Sequence, residues 1–216
     1  MTQTHTPRRA LLIIDAQNEY VTGDLRIEYP SVQDSLCNIG VAMDAARNAG
    51  IPVVVVQQMA PADSPLFAIG SHGWELHETV ANRPRDHYVA KKLPSAFAGT
   101  DLGDWLRAHD TDTLTVAGYM THNCDDTTIK HAFDAGLKVE FLMDASGSLS
   151  YVNRAGFARA EEIHRVFSVV LQSRFAAVLS TAAWIECLSS SAVPERDSIH
   201  SSHQRALQAL RQRTAA

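Results

Sequence analysis

Short apolar runs recur along this chain, each closing on a polar residue or glycine and each followed by a helical pattern or a broken loop. ALLII at 10–14 stops at Asp15, PVVVV at 52–56 stops at Gln57, LTVA at 114–117 stops at Gly118, and KVEFLM at 138–143 stops at Asp144. A run that is apolar at successive positions belongs to a strand covered on both faces, which is the habit of parallel sheets. The first elements read strand, loop, helix, strand, and that alternation predicts an α/β protein with right-handed crossovers.

The intervening segments fit that scheme. Residues 31–50 form an amphipathic helix that Ser31 can cap and that Gly50 and Pro52 end. Residues 57–86 are broken by Pro61, Pro65, Gly70, Gly73 and Pro84, and a loop of this length in a compact domain is usually functional. A short strand at 88–90 runs into Lys91 and Lys92, and Thr100 can cap a helix reaching about residue 109. Further on, the patterns predict a helix at 153–167, a strand at 174–179 and a helix at 181–188. Residues 1–190 read as one domain. The rest, 191–216, read as a linker and a short basic helix or tail.

Composition narrows the function. The 216 residues are 45% hydrophobic and carry a net charge of −5 with scattered basic residues, against the concentrated basic surface that nucleic-acid binding needs. The sequence contains neither a membrane-length apolar run nor a signal-peptide pattern, so a cytoplasmic location is expected. The three cysteines, Cys37, Cys124 and Cys187, have no metal or disulfide spacing, and the histidines form no close pair. No metal and no cofactor is expected, and Cys37 and Cys187 read as packing residues.

Cys124 is different because it sits in the turn between the 114–117 strand and a helical segment. Open α/β sheets place their sites at such carboxyl edges. The free N–H groups of a helix's first turn favour a thiolate, which cysteine chemistry requires. A buried, inert cysteine is the other reading. Asp15, ending the first strand, is either a turn cap or a site carboxylate needing a partner. A lysine from the Lys91/Lys92 pair is its cationic counterpart or a solvated surface group.

Three separated pieces, LLIIDAQ, KKLPSAFAGTDL and VAGYMTHNC, resemble in their order and spacing the isochorismatase-like hydrolases. The likeness is to the cysteine hydrolase branch that holds nicotinamidases and N-carbamoylsarcosine amidohydrolases. It implies a Rossmann-like three-layer α/β/α sandwich around a six-stranded parallel sheet, with an Asp-Lys-Cys triad of Asp15, Lys91 and Cys124. The family lysine usually stands four residues before the serine of SAF, which selects Lys91 over Lys92, and strand alternation lets only one of them face the site. The resemblance also implies a non-proline cis peptide at Tyr119–Met120 and an oxyanion hole from the Met120 and Cys124 N–H groups.

In two places the chain departs from that family's pattern. Gln57, Gln58 and Met59 stand where metal-dependent nicotinamidases carry an aspartate and histidines, which speaks against a metal and against nicotinamide. Asp125 replaces a frequent valine after the cysteine, and with Asp126 it could receive a cationic group. The implied reaction is hydrolysis of a C–N bond in a small amide, ureido or carbamoyl compound. A vinyl ether hydrolase of the isochorismatase type, and a binding or thiol-sensing domain, are the alternatives. Asn18, Tyr20, Trp74, Phe97, Thr121 and Tyr151 are the candidate substrate contacts. A homo-oligomer is expected, with the 57–86 loop and the basic tail as contact surfaces.

Overall fold

In the computed structural model, residues 6–190 and 192–214 are described. Residues 1–5 of the amino-terminal stretch, Ser191 of the linker and the last two residues of the tail lie outside the described residues.

The apolar runs become strands β1 (Arg9–Ile14), β2 (Val53–Gln58), β3 (His87–Lys91), β4 (Thr113–Tyr119), β5 (Lys138–Gly147) and β8 (Ala177–Leu179). They form one parallel sheet in the order β3-β2-β1-β4-β5-β8. Because side chains alternate across a strand, Leu11 and Ile13 enter one core layer while Ala10, Leu12 and Ile14 enter the other. The first layer is closed by α1 (Val32–Asn48) and α6 (Thr181–Ser190), with Trp184 fully buried. The second is closed by α3 (Leu102–Ala108), α4 (Asp126–Asp134) and α5 (Ala160–Gln172). Helix, sheet and helix make the three-layer sandwich.

The Arg9 guanidinium, at the amino end of β1, is matched to Glu140 on β5 at 2.8 Å, and Thr115 and Trp184 also donate to that carboxylate. A buried charge pair this fully hydrogen-bonded fixes register more than it adds stability.

Several expectations need correction. The helix expected at 153–167 is a hairpin, β6 (Tyr151–Asn153) with β7 (Gly156–Ala158), followed by α5 from Ala160 to Gln172. Gly156 sits at φ +136, a backbone state open to glycine and foreign to a helix interior. The strand predicted to end at Asp144 continues to Gly147. Ser31 begins α1 without capping it, because its hydroxyl donates to Gln33 instead. Asp101 holds the N-cap position of α3 without a side-chain cap bond, and the Thr100 hydroxyl accepts from the Leu102 N–H that opens the helix while donating to the Ala96 carbonyl. Cys37 is exposed on α1 rather than packed. A short helix, α2 (Glu78–Ala81), interrupts the 57–86 loop, and the tail helix α7 (Ile199–Thr214) starts four residues ahead of its predicted onset. Among the described residues, no helix is long and apolar enough to cross a membrane.

Candidate active site

β1, β3 and β4 end at the same edge of the sheet, and each delivers one polar side chain there. Asp15 follows β1 directly. Its backbone takes φ +50, a left-handed state aspartate tolerates better than most residues, and its N–H donates to the Val56 carbonyl. The turn is possible because Gly118 lies opposite Ile14 in the ladder: a Cβ at Gly118 would fall 2.0 Å from the Ile14 carbonyl oxygen. The glycine near the end of β4 therefore lets the β1 terminus close on β4.

Lys91 is the last residue of β3 and faces inward, whereas Lys92 is exposed. Its ammonium lies 2.7 Å from Asp15 Oδ2, donates to Gln58 Oε1 at 2.7 Å and donates to Cys124 Sγ at 3.2 Å. Two of its three donors go to Gln58 and Cys124, and Asp15 Oδ2 meets the ammonium as an ion pair. Asp15 and Lys91 are closed to solvent and Cys124 is 5% exposed.

After β4 the Tyr119–Met120 peptide is cis, and Thr121–Asp125 form a single π turn leading into α4. Cys124 thus lies one turn inside the helical segment rather than immediately ahead of it. The expectation that this position holds a ready thiolate is not met. Burial, reinforced by the negative charge of Asp15, pushes the Cys124 thiol well above its ordinary range despite Lys91 beside it. Burial likewise raises the Asp15 carboxyl, with Lys91 and Cys124 pulling back. For Lys91 burial alone favours the neutral amine, but Asp15 and Cys124 outweigh it and raise the pKa, keeping the ammonium. The resting site is a neutral thiol between a reluctant carboxylate and a fixed cation.

Around this group the structure places Gln17, which the sequence reading passed over, and Gln58, which it read only for what it replaces. Gln58 supplies the third acceptor for Lys91. Gln17, fully buried, accepts from the Gln58 N–H and donates to the Gln58 and Trp74 carbonyls, tying the 57–77 loop to the end of β1. A buried lysine with three donors requires a third acceptor, and that requirement was the available signal for Gln58. Asp125 is closed to solvent, accepts from Ser146 Oγ at 2.6 Å and, among the described residues, has no hydrogen bond to Oδ1. Burial raises its carboxyl to about 7, with Asp15 and Asp126 adding to the shift against Ser146 and Lys91. The Ser146 hydroxyl also meets Thr121 Oγ1 at 2.7 Å, which in turn meets His164 Nδ1 at 2.9 Å. Burial lowers His164 to about 4. Asp126 pairs with Lys130 at 2.7 Å.

The candidate substrate contacts divide. Tyr20 is buried against Phe67 and Tyr119, with Asp15 and Cys124 close enough to add to its raised pKa. Tyr151, half-exposed, meets His122 Nε2 through its hydroxyl at 3.0 Å and senses Cys124. Thr121 is held inside the buried network just described. Trp74 gives its carbonyl to Gln17 and Gln57 and its indole N–H to Met59 Sδ. Asn18 meets His72 on the outer loop, and Phe97 stacks on His131 beside a separate cavity of about 310 Å³. Among the described residues, no group of three or more His, Cys, Asp or Glu is arranged to hold a metal ion.

Comparison with known proteins places this architecture. Residues 9–183 match the isochorismatase domain. A crystal structure from Burkholderia xenovorans LB400, grouped with the isochorismatases, is 65% identical, covers 98% of this chain and all of its own, and superposes with a TM-score of 0.94. The streptothricin hydrolase of Streptomyces noursei is 34% identical over 137 residues, covering 63% of this chain and 49% of that protein. The ureidoacrylate amidohydrolase of Methylobacterium radiotolerans is 25% identical over 86% of this chain and 80% of its own length.

Proposed function

The chain belongs to the isochorismatase family and is a hydrolase acting on C–N bonds, and from that premise we propose that Cys124 is its nucleophile, cleaving a small amide, ureido or carbamoyl compound through a thioester. The observation that carries the reading is the Lys91 ammonium, which touches both Asp15 and Cys124 in a site closed to water. A lysine and an aspartate buried together beside a cysteine are costly to maintain, and such groups cluster where chemistry needs them.

Because the thiol is neutral at rest, its proton must leave as the sulfur attacks. Asp15 is the base, and its raised pKa brings it nearer to neutral pH, where a general base works best. Lys91 offsets the charge that passes from carboxylate to sulfur and keeps both in position. The Met120 and Cys124 N–H groups are the donors for the tetrahedral oxyanion, each lowering the barrier by roughly 3 kcal/mol. Asp15 returns the proton to the departing nitrogen, giving ammonia or an amine. Water then attacks the thioester with Asp15 again as base, releasing the acid and restoring the thiol.

A thiol sensor fits less well, since redox-sensing cysteines are accessible and easily ionised, and Cys124 is neither. The test is rapid acid quench of a turning-over reaction followed by intact mass. The mechanism predicts an acyl adduct that maps to Cys124 and is absent from Cys124→Ala. Turnover by wild type with the mass unchanged under single-turnover conditions would count against the thioester.

A further inference from the structure

The π turn that carries Cys124 begins at Thr121 and ends at Asp125, and the side chains of both ends meet one hydroxyl. Ser146 Oγ, on β5, lies 2.7 Å from Thr121 Oγ1 and 2.6 Å from Asp125 Oδ2. Thr121 Oγ1 also meets the Gly147 carbonyl at 3.1 Å and His164 Nδ1 at 2.9 Å. All four side chains are buried. Four contacts need four hydrogens. Ser146 and Thr121 bring one each and a neutral His164 brings one N–H, whereas a carboxylate and a carbonyl only accept. One contact is therefore left without a hydrogen when Asp125 is ionised. A proton on Asp125 completes the set: Asp125 donates to Ser146, Ser146 to Thr121 and Thr121 to the Gly147 carbonyl, while the His164 N–H donates to Thr121. If that N–H turns to the Met143 carbonyl instead, Thr121 donates to Nδ1 and Asp125 must still supply the hydrogen to Ser146. The other carboxyl oxygen, Oδ1, has no hydrogen bond among the described residues, so a buried charge there would go unsupported.

We propose that Asp125 is a positioning residue that works as a neutral carboxylic acid: its proton completes the cluster and locks the nucleophile turn, and release of that proton to solvent slackens the turn and slows attack. The inference rests on Cys124 being the nucleophile. Cys124 lies between the two anchored ends, so its sulfur and its oxyanion-directed N–H are aimed by the same turn. A misplacement of about 1 Å at a reacting group can cost roughly 100-fold in rate. Ionised Asp125 also sets a second negative charge near Asp15, in a site whose cation, Lys91, is already bound to Asp15, Gln58 and Cys124.

The groups that face Asp125 set where it titrates. Burial is the largest influence; Asp15 at the end of β1 and Asp126 in α4 also oppose its ionisation, while the Ser146 hydroxyl and Lys91 at the end of β3 favour it. Tyr20 and Tyr119 feel it too, and burial keeps both phenols neutral. His164 and His122 are lowered by burial to about 4. Asp15 must be ionised to act as base, so its titration shapes the acid limb of turnover. Asp125, at about 7, is the group of this set that gives an alkaline limb near neutral pH.

Infrared spectra of the full chain, with steady-state kinetics on any amide, ureido or carbamoyl compound it turns over, test this. Wild type should show at pH 6 the carbonyl stretch of a protonated carboxylic acid that is lost by pH 8 and is missing from Asp125→Asn. A group titrating at about 7 has lost about nine-tenths of its neutral form by pH 8, so wild-type kcat should fall about tenfold from pH 6 to pH 8 with KM held. Asp125→Asn keeps an N–H for Ser146 and cannot ionise, so its kcat should stay level over that range. Should that variant not fold, Ser146→Ala decides: it removes a hydroxyl that favours the carboxylate, so the band should persist at pH 8, and kcat at pH 6 should drop because the turn has lost its cross-link. Absence of the band from wild type at pH 6, a band undiminished in Asp125→Asn or lost by pH 8 in Ser146→Ala, or kcat curves of wild type and Asp125→Asn that fall in parallel would overturn the proposal. The infrared result does not depend on the chemistry at Cys124, and the acyl-adduct test does not depend on Asp125, so failure of one is told apart from failure of the other.

Discussion

Replacing Asp125 with Asn should change how the fold's stability depends on pH. The Asp125 carboxyl is fully buried and raised from 3.8 to about 7 by burial, with Asp15 and Asp126 adding to the shift and Ser146 and Lys91 opposing it. A group whose folded pKa is raised binds more protons folded than unfolded, so its stabilising contribution is complete below the unfolded pKa and is lost as pH rises. The window runs from about pH 4 to about pH 7. At 1.36 kcal/mol per unit, ionising Asp125 in place costs the wild type about 4 kcal/mol across it. Asparagine keeps an acceptor for Ser146 and has no charge to bury. The difference in unfolding free energy, Asp125→Asn minus wild type, should therefore climb by about 1.4 kcal/mol per pH unit and flatten above pH 7. Urea titrations at half-unit intervals from pH 4.5 to 8 measure it. Two stability curves that stay parallel through that range would refute the reasoning.

The other expectations concern the site and the turn that builds it. Lys91→Ala leaves Asp15 buried without its cation and should cost about 3–5 kcal/mol in urea unfolding, and Lys91→Arg should not recover turnover because a guanidinium does not fit three acceptors set around one nitrogen. Gly118→Ala places a methyl 2.0 Å from the Ile14 carbonyl oxygen at φ +122 and should destabilise by roughly 3 kcal/mol, with activity falling beyond the lost folded fraction because Asp15 moves. Iodoacetamide at pH 7.5 should alkylate exposed Cys37 well before buried, neutral Cys124, as peptide mapping over time would show; equal rates would mean the thiol is ionised at rest.

Much of the architecture is legible in the chain because a strand covered on both faces must be apolar at every position, and ALLII and VVVV have few other uses. Alternation shows only that one of Lys91 and Lys92 can face the site; the choice of Lys91 rests on the family resemblance, through its spacing to the serine of SAF. The hairpin at 151–158 was hidden because it runs directly into the helical pattern of α5, while the glycine angle that sets it apart is a backbone property. Gln58 was read only for what it replaces. Its role depends on the β2–β3 register, which sets it opposite Lys91. The state of Cys124 was misjudged because the turn predicts a favourable dipole, whereas the depth of burial and the nearness of Asp15 arise from strands that meet only in the fold.

The central claim is that Cys124, activated by Asp15 and Lys91, cleaves C–N bonds. It is tested most directly by release of ammonia or amine from a panel of amide, ureido and carbamoyl compounds, cationic ones included, with wild type, Cys124→Ala and Asp15→Asn side by side. The account predicts release by wild type, none above background with Cys124→Ala, and a loss of roughly 10²–10⁴-fold with Asp15→Asn. Release that persists undiminished in folded Cys124→Ala would contradict it.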